Sequence, residues 1–195
     1  MLGVPPVRRG LLIVISGPSG VGKDTLIKRL LTLDPALRYS VSCTTRPPRL
    51  GEVDGESYTF LSRERFEEKV AAREFLEYAT YNGHLYGTLR ERVNHMRDAG
   101  SDALLKIEVN GAEQVRKREP GGLFIFVVPP STEELARRQV ARNSESAADM
   151  AARRAIAEGE MRYASHYDHV VTNDDLERVT AEVLEIIREA RERQT

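Results

Sequence analysis

Apolar runs and apolar stripes alternate along this chain. Residues 11–15 (Leu-Leu-Ile-Val-Ile) form a continuous run, the pattern of a strand buried on both faces. Leu26, Ile27, Leu30 and Leu31 then recur at helical spacing, and Asp34-Pro35 marks a stop. The β-branched, serine-rich stretch 39–45 reads as a strand, and 57–61 as a second, shorter one. Ser62 is placed to cap a helix that buries Phe66 and Val70. Residues 74–81 read as a strand, Asn82-Gly83 as a tight hairpin turn and 84–86 as the return. Thr88, three places before Glu91, has the spacing of a capping box and predicts a helix ending near Gly100.

Further on, Ala103, Leu105, Ile107 and Val109 alternate with Leu104, Lys106 and Glu108, which predicts a strand over 103–109 with a lysine and a glutamate on one face. Residues 123–128 are an all-apolar strand closed by Pro129-Pro130, and Ser131 with Glu134 is a second capping box. From 137 to 154 arginine is frequent and large apolar residues are scarce, so this stretch reads as an arm with little core, its helix restarting at Ser146 with Asp149. Residues 169–172 are the last strand. Asp174 with Glu177 should cap a final helix whose stripe is Leu176, Val179, Val183, Ile186 or Ile187, and Ala190. Strands alternating with helices predict an α/β fold, a parallel sheet flanked by helices. The short strands and hairpin between 39 and 90 predict a small mixed insertion.

The junction of the first strand and helix carries chemistry. Gly17-Pro18-Ser19-Gly20-Val21-Gly22-Lys23 sits between them, and strand, glycine-rich turn, lysine and helix is the layout of a phosphate-binding loop. Glycines let successive N–H groups turn toward phosphate oxygens, the helix adds its positive N-terminal end, and Lys23 supplies a mobile cation. The pattern calls for Ser or Thr directly after the lysine; here Asp24 stands there and Thr25 one place later. The loop should bind a nucleoside triphosphate.

Composition narrows the class. With 195 residues the chain is ample for a real core, and 29 Lys+Arg against 30 Asp+Glu leave no broad electrostatic claim on nucleic acid or membrane. One cysteine, Cys43, excludes an internal disulfide and suits a reducing compartment as a small inert residue. The apolar run 11–15 is too short to span a bilayer and leads into the loop, so residues 1–10 read as a loose leader and the expected location is the cytoplasm.

Three clusters remain. Ser42, Arg46, Arg49, Tyr58, Glu77, Tyr86 and Thr88 bring forks, phenols and hydroxyls suited to a second phosphate group, and Glu77 suits a base with adjacent N–H donors. Arg138 and Arg142 lie at i and i+4, able to point together at an anion, with Arg153 beyond them. Lys106 and Glu108 end a core strand, where Glu108 could hold Mg²⁺ through water.

Several motifs together resemble the guanylate kinase family over nearly the whole chain. They are the loop 16–25, Ser42-Cys43-Thr44-Thr45-Arg46-Pro47-Pro48-Arg49, Gly51-Glu52, Phe75-Leu76-Glu77-Tyr78, Tyr86-Gly87-Thr88, Asn110-Gly111-Ala112, Pro129-Pro130-Ser131 and the segment 171–176. The resemblance implies one domain of three parts: a core (about 10–38, 91–130 and 158–195), a GMP-binding insertion (about 39–90) and a helical lid (about 131–157). It implies Mg²⁺-dependent phosphoryl transfer from ATP to GMP. Ser42, Arg46, Arg49, Tyr58 and Tyr86 would hold the GMP phosphate or its surroundings, while Glu77 and Thr88 would read guanine and Glu108 would lie beside the acceptor. Lys23, Arg138, Arg142 and Arg153 would surround the transferring group, and Asn173 would lie near adenine. Read from the residues rather than from the resemblance, Glu108 and, in place of a hydroxyl, Asp24 are the expected metal holders.

The chain departs from that family's pattern at Asp24, where a hydroxyl is usual, at Lys106, where an acid is usual, at Glu108 for aspartate, and at Asn110 for glutamine. Arg142-Asn143-Ser144 also stands where the lid commonly reads Arg-Gly-Thr. One change adds a negative charge and another removes one, so Lys106 is expected to pair with Asp24. Two other readings share the architecture: a phosphate-loop kinase with a different phosphorylated acceptor, and a binding module that has lost catalysis.

Overall fold

The computed structural model describes residues 8–140 and 159–194. Its elements, in chain order, are β1 (Leu12–Ser16), α1 (Lys23–Leu33), β2 (Leu37–Tyr39), β3 (Cys43–Thr44), β4 (Thr59–Phe60), α2 (Arg63–Ala71), β5 (Phe75–Tyr81) and β6 (His84–Leu89). They continue with α3 (Arg90–Asp98), β7 (Asp102–Lys106), α4 (Val109–Arg118), β8 (Leu123–Val128), α5 (Thr132–Val140), β9 (His169–Thr172) and α6 (Leu176–Glu192). The architecture is mixed α/β, with parallel sheet flanked by helices. Two compact units divide the chain. Among the described residues no helix is long and apolar enough to cross a membrane.

The loop unit comprises Ile13–Pro35, Lys106–Val109 and the described residues from Leu123 onward. In it β8 lies between β1 and β9, all parallel, with Ile13 opposite Leu123 and Ile125 opposite His169. That placement explains the unbroken apolar runs: a strand covered on both faces has no polar side to present. Ile13, Val14, Ile15, Phe124, Ile125, Phe126 and Val127 are buried. Helix α6 buries Val179, Val183, Ile187 and Ala190, so Ile187 rather than Ile186 completes its stripe. Its cap is Asp175, which accepts the Arg178 N–H at 2.8 Å; Asp174 instead accepts from the Arg178 guanidinium. The expected cap was therefore one residue early, because the Asp174 carboxylate is occupied by that arginine. Arg29 with Glu177 at 2.9 Å and Arg191 with Asp34 at 2.6 Å tie α6 to α1.

The second unit comprises the described residues up to Leu12, Ala36–Leu105 and Asn110–Gly122. Here β2 runs parallel to β7, and a second sheet has the order β4-β3-β6-β5. The predicted strand over 39–45 is two strands: Tyr39 ends β2, and β3 is only Cys43–Thr44, pairing with β4 and β6. Phe66, Phe75 and Cys43 form this unit's small core, with the phenylalanine rings stacked at 4.3 Å and Leu61, Val70, Leu85 and Leu89 packed around them. Ser62 caps α2 by accepting the Arg65 N–H at 3.2 Å, and Asn82 and Gly83, both at positive φ, make the hairpin turn.

Two further expectations change. Thr88 does not cap α3; it lies inside β6, Leu89 occupies the cap position, and the Thr88 hydroxyl is spent on Glu77. The strand predicted over 103–109 stops at Lys106. Val109 then opens α4, a helix the apolar pattern left unread because only Val109, Ala112 and Val115 mark its buried side.

Replacing Phe66 with Ala should cost about 3–5 kcal/mol of unfolding free energy, since a fully buried, stacked ring leaves a cavity that α2 and β5 cannot collapse into. Urea denaturation monitored by circular dichroism measures it.

Candidate active site

In the loop unit, backbone geometry is set by glycine. Gly17, Gly20 and Gly22 have φ of 144, 88 and 100°, a region other residues rarely enter. Crowding adds to this at two of them, since a side chain on Gly17 would strike the Val127 carbonyl and one on Gly22 the Asn173 amide. Helix α1 starts at Lys23 with Gly22 as its cap and no side-chain capping bond. Its first N–H groups are thus not consumed by a cap residue, the condition for anion binding at a helix start.

Lys23 Nζ donates to the carbonyls of Gly17 and, at 3.0 Å, Pro18. Burial pulls this ammonium down to about 8, with the Lys106 charge adding to the effect and Glu160, Glu108 and Asp24 opposing it. Glu108 is raised by burial, against Lys23. Glu160 is pushed up to about 7 by burial and by Glu108, while Lys23 and the Ser19 N–H hold it down. The Glu160 Oε2 is buried and has no hydrogen-bond partner among the described residues. Lys106 Nζ lies 2.5 Å from Asp24 Oδ1, so the expected pair forms.

Asn173 Nδ2 donates to the Val21 carbonyl at 2.7 Å, tying the end of β9 to the loop. Arg138 Nη1 donates to the Asn173 carbonyl at 3.1 Å, and its Nε to Glu134 at 2.8 Å. Thr25 is exposed on α1.

In the second unit, Arg46 is bidentate to Glu52 at 2.7 and 2.9 Å, and its guanidinium lies 5.5 Å from the Tyr58 ring centroid and 5.9 Å from that of Phe60. Arg49 joins this knot through its backbone N–H, 2.7 Å from Glu52, and its side chain is exposed. The Arg46 fork, then the Arg49 N–H, hold the Glu52 carboxyl below its usual range. Tyr86 packs edge-on against Tyr58 at 5.9 Å. Ser42 is buried at the start of β3, where its carbonyl accepts the Thr59 N–H. Glu77 is 4 % exposed, and its Oε1 accepts the Thr88 hydroxyl at 2.6 Å.

Comparison with known proteins places this geometry in a family. The family model described as guanylate kinase matches residues 9–190. A guanylate kinase of Symbiobacterium thermophilum is 48% identical over 184 residues, covering 94% of this chain and 87% of that protein. One of Rubrobacter xylanophilus is 48% identical over 182 residues, covering 93% and 95%. The crystal structure of guanylate kinase from Anaplasma phagocytophilum superposes with a TM-score of 0.77 at 32% identity, over 93% of this chain and 86% of that one. The chain belongs to the guanylate kinase family.

Within that family frame, the structure sorts the residues singled out from sequence. Lys23, Asp24, Glu108, Arg138 and Asn173 gather around the loop. Ser42, Arg46, Tyr58, Tyr86, Glu77 and Thr88 belong to the second sheet and its flanks. Arg142 and Arg153 lie outside the described residues, as does the helix restart at Ser146 and Asp149. Glu108, assigned from sequence to both acceptor and metal, lies with Lys23 in the loop unit. Sequence reasoning passed over Glu160, an acid in a segment with no other chemical mark, and the role of Glu52, which stood in a quoted motif as the partner Arg46 needs.

Mg²⁺ usually keeps several waters and takes one or two carboxylates plus phosphate oxygens, rather than a protein cage. The hard oxygens of Asp24 and Glu108, with an orphaned Glu160 carboxylate oxygen beside the loop, fit that demand. Among the described residues no group of three His, Cys, Asp or Glu side chains forms a cage, which the same habit does not require.

Two outcomes follow. In a double-mutant cycle with Asp24→Ser and Lys106→Glu, each single change should lower kcat/KM and alter Mg²⁺ dependence more than the pair, with a coupling of about threefold or more. Strictly additive losses would show that the ion pair has no part in turnover. The second concerns Glu160, whose folded value near 7 lies above the usual carboxylate value of 4.5. Between those two pH values the folded state binds the extra proton, so stability falls as pH rises through the window. Glu160→Gln should flatten that fall, by roughly 1–2 kcal/mol after allowing for partial exposure, in urea unfolding of the nucleotide-free protein at pH 5 and 8.

Proposed function

We propose that this chain transfers the γ-phosphoryl group of ATP to GMP, giving ADP and GDP, as a nucleoside monophosphate kinase of the cytoplasm. The observation that carries the acceptor half is the buried Glu77–Thr88 pair. An ionised carboxylate only accepts hydrogen bonds, and guanine offers two adjacent N–H donors on one edge, whereas adenine offers an acceptor there. Ser42, Arg46, Arg49, Tyr58 and Tyr86 are the residues that would take the acceptor's phosphate, with Glu52 holding the Arg46 fork in place beforehand.

On the donor side, the N–H groups of residues 17–25 would cradle the triphosphate. Lys23, now bonded to two loop carbonyls, would exchange them for phosphate oxygens, and the added anion would raise its proton affinity and hold it fully charged. Arg138 would meet the transferring group, and Asn173 would line the adenine side. When bound, Mg²⁺ would neutralise charge on the phosphates, held by Asp24 and Glu108 through oxygen and water. No covalent intermediate is required; positioning and electrostatics carry phosphoryl transfer of this kind. The three-part division into core, acceptor insertion over 39–90 and lid over 131–157 belongs to the same reading.

A coupled ADP-release assay with GMP, AMP, CMP and UMP tests it. GMP should turn over, and the other three should fall at least about 100-fold lower in kcat/KM, because a wrong base leaves buried polar groups unpaired. Binding of GMP without turnover of any nucleotide would favour a module that has lost catalysis. Preference for another monophosphate would replace the acceptor.

A further inference from the structure

Helix α4 was unreadable as an apolar stripe, yet one of its faces carries a second pattern. Gly111, Gln114 and Arg118 stand at i, i+3 and i+7 and so share one face. All three meet β5, the edge strand of the second sheet, around Glu77. The Gln114 amide pairs with one residue as a neighbouring strand would: Nε2 donates to the Tyr78 carbonyl at 2.8 Å, and Oε1 accepts the Tyr78 N–H at 3.4 Å. Arg118 Nη1 donates to the carbonyls of Leu76 and, at 3.4 Å, Phe75.

Those carbonyls flank an irregularity. The register of β5 against β6 shifts between Phe75 and Glu77, and such bulges re-aim the side chains beside them. Gly111 completes the contact. A Cβ built on it would lie 2.7 Å from Glu77 Oε2 and 3.3 Å from its Cδ. The glycine is thus wanted here for space beside the carboxylate; its backbone is helical, and an alanine would fit the helix itself.

We propose that the α4 face formed by Gly111, Gln114 and Arg118 sets acceptor specificity, by clamping the bulged edge of β5 so that the Glu77 carboxylate is held ready for an N–H edge. These are positioning residues: they act through Glu77, and they make Glu77 a fixed acceptor instead of a mobile one. An edge strand otherwise offers its backbone groups to water and has freedom to shift. A carboxylate that must accept two hydrogen bonds at once has little tolerance for such a shift. The inference rests on the reading that Glu77 takes the guanine base.

The test compares Gly111→Ala and Gln114→Met with Glu77→Gln, using GMP and inosine monophosphate, which lacks one of the two donors on that edge. Methionine keeps the length and apolar stem of Gln114 while removing both hydrogen bonds. Each α4 variant should raise KM for GMP about tenfold and shrink the GMP-over-inosine ratio of kcat/KM, with kcat kept within about threefold, as loss of a hydrogen bond to a charged group predicts. Gly111→Ala should do so without lowering the melting temperature, since alanine favours a helix more than glycine. Unchanged KM and unchanged ratio in both α4 variants, while Glu77→Gln loses guanine preference, would overturn the clamp and leave the acceptor reading intact. Losses that follow the melting temperature and fall equally on kcat and on both nucleotides would also overturn it, as mere support of the fold. If Glu77→Gln itself leaves GMP preference untouched, the acceptor reading fails and the clamp falls with it.

Discussion

The loop unit is organised around a half-buried ammonium. Lys23 opens α1 at the end of a glycine turn, where burial disfavours its charge and the helix start adds positive potential of its own. Two loop carbonyls and the fields of Glu160, Glu108 and Asp24 keep it compatible with the fold. The carboxylates bear their own cost, seen in the upward shifts of Glu108 and Glu160 and in the orphaned Glu160 oxygen. Under the proposed function, phosphate would satisfy the lysine and a metal would satisfy the acids. Burial penalties left uncompensated among the described residues would thereby become part of the binding free energy of a ligand that compensates them.

The second unit holds its buried charge by the opposite means. Its buried carboxylate, Glu77, is fully engaged within the chain on one side, by the Thr88 hydroxyl, while α4 fixes the strand that carries it. The Arg46–Glu52 fork, with Tyr58 and Phe60 beneath the guanidinium, is preorganised in the same sense. Preorganised groups lose less entropy when a ligand arrives, and specificity comes from what they cannot rearrange to accept. Under the proposed function the loop unit would meet phosphate, which every nucleotide carries, and the second unit would tell one base from another. Fixed geometry belongs where discrimination is needed.

Much of this was legible before the structure, and the failures have physical causes. Continuous apolar runs located β1 and β8 because strands covered on both faces show no alternation. The hairpin at Asn82-Gly83 and the cap at Ser62 were legible because their chemistry is local. Thr88 misled because a hydroxyl three residues before a glutamate satisfies the capping rule on paper, whereas the tertiary demand of a buried Glu77 carboxylate outweighs it. Asp174 misled for a local reason: its carboxylate is claimed by Arg178 one turn further on, and the cap passes to Asp175. Helix α4 was hidden because its important face is defined by what it does for β5, through a glycine, an amide and a guanidinium, and none of these adds apolar signal.

The pairing of Lys106 with Asp24 shows what a residue-by-residue match to a family pattern leaves out. Position by position, an acid after the loop lysine and a base at the end of β7 are two departures, each pointing away from the chemistry. Taken as charges in one neighbourhood they cancel, and the 2.5 Å contact makes the cancellation local. Local cancellation matters more than the same sum spread over the surface, because Lys23 responds to both charges: Lys106 lowers its proton affinity and Asp24 raises it. Reverting either one alone would leave the loop with a field that neither the family pattern nor this chain has. In this chain the two departures therefore act together, with opposite signs, on the field at the loop lysine.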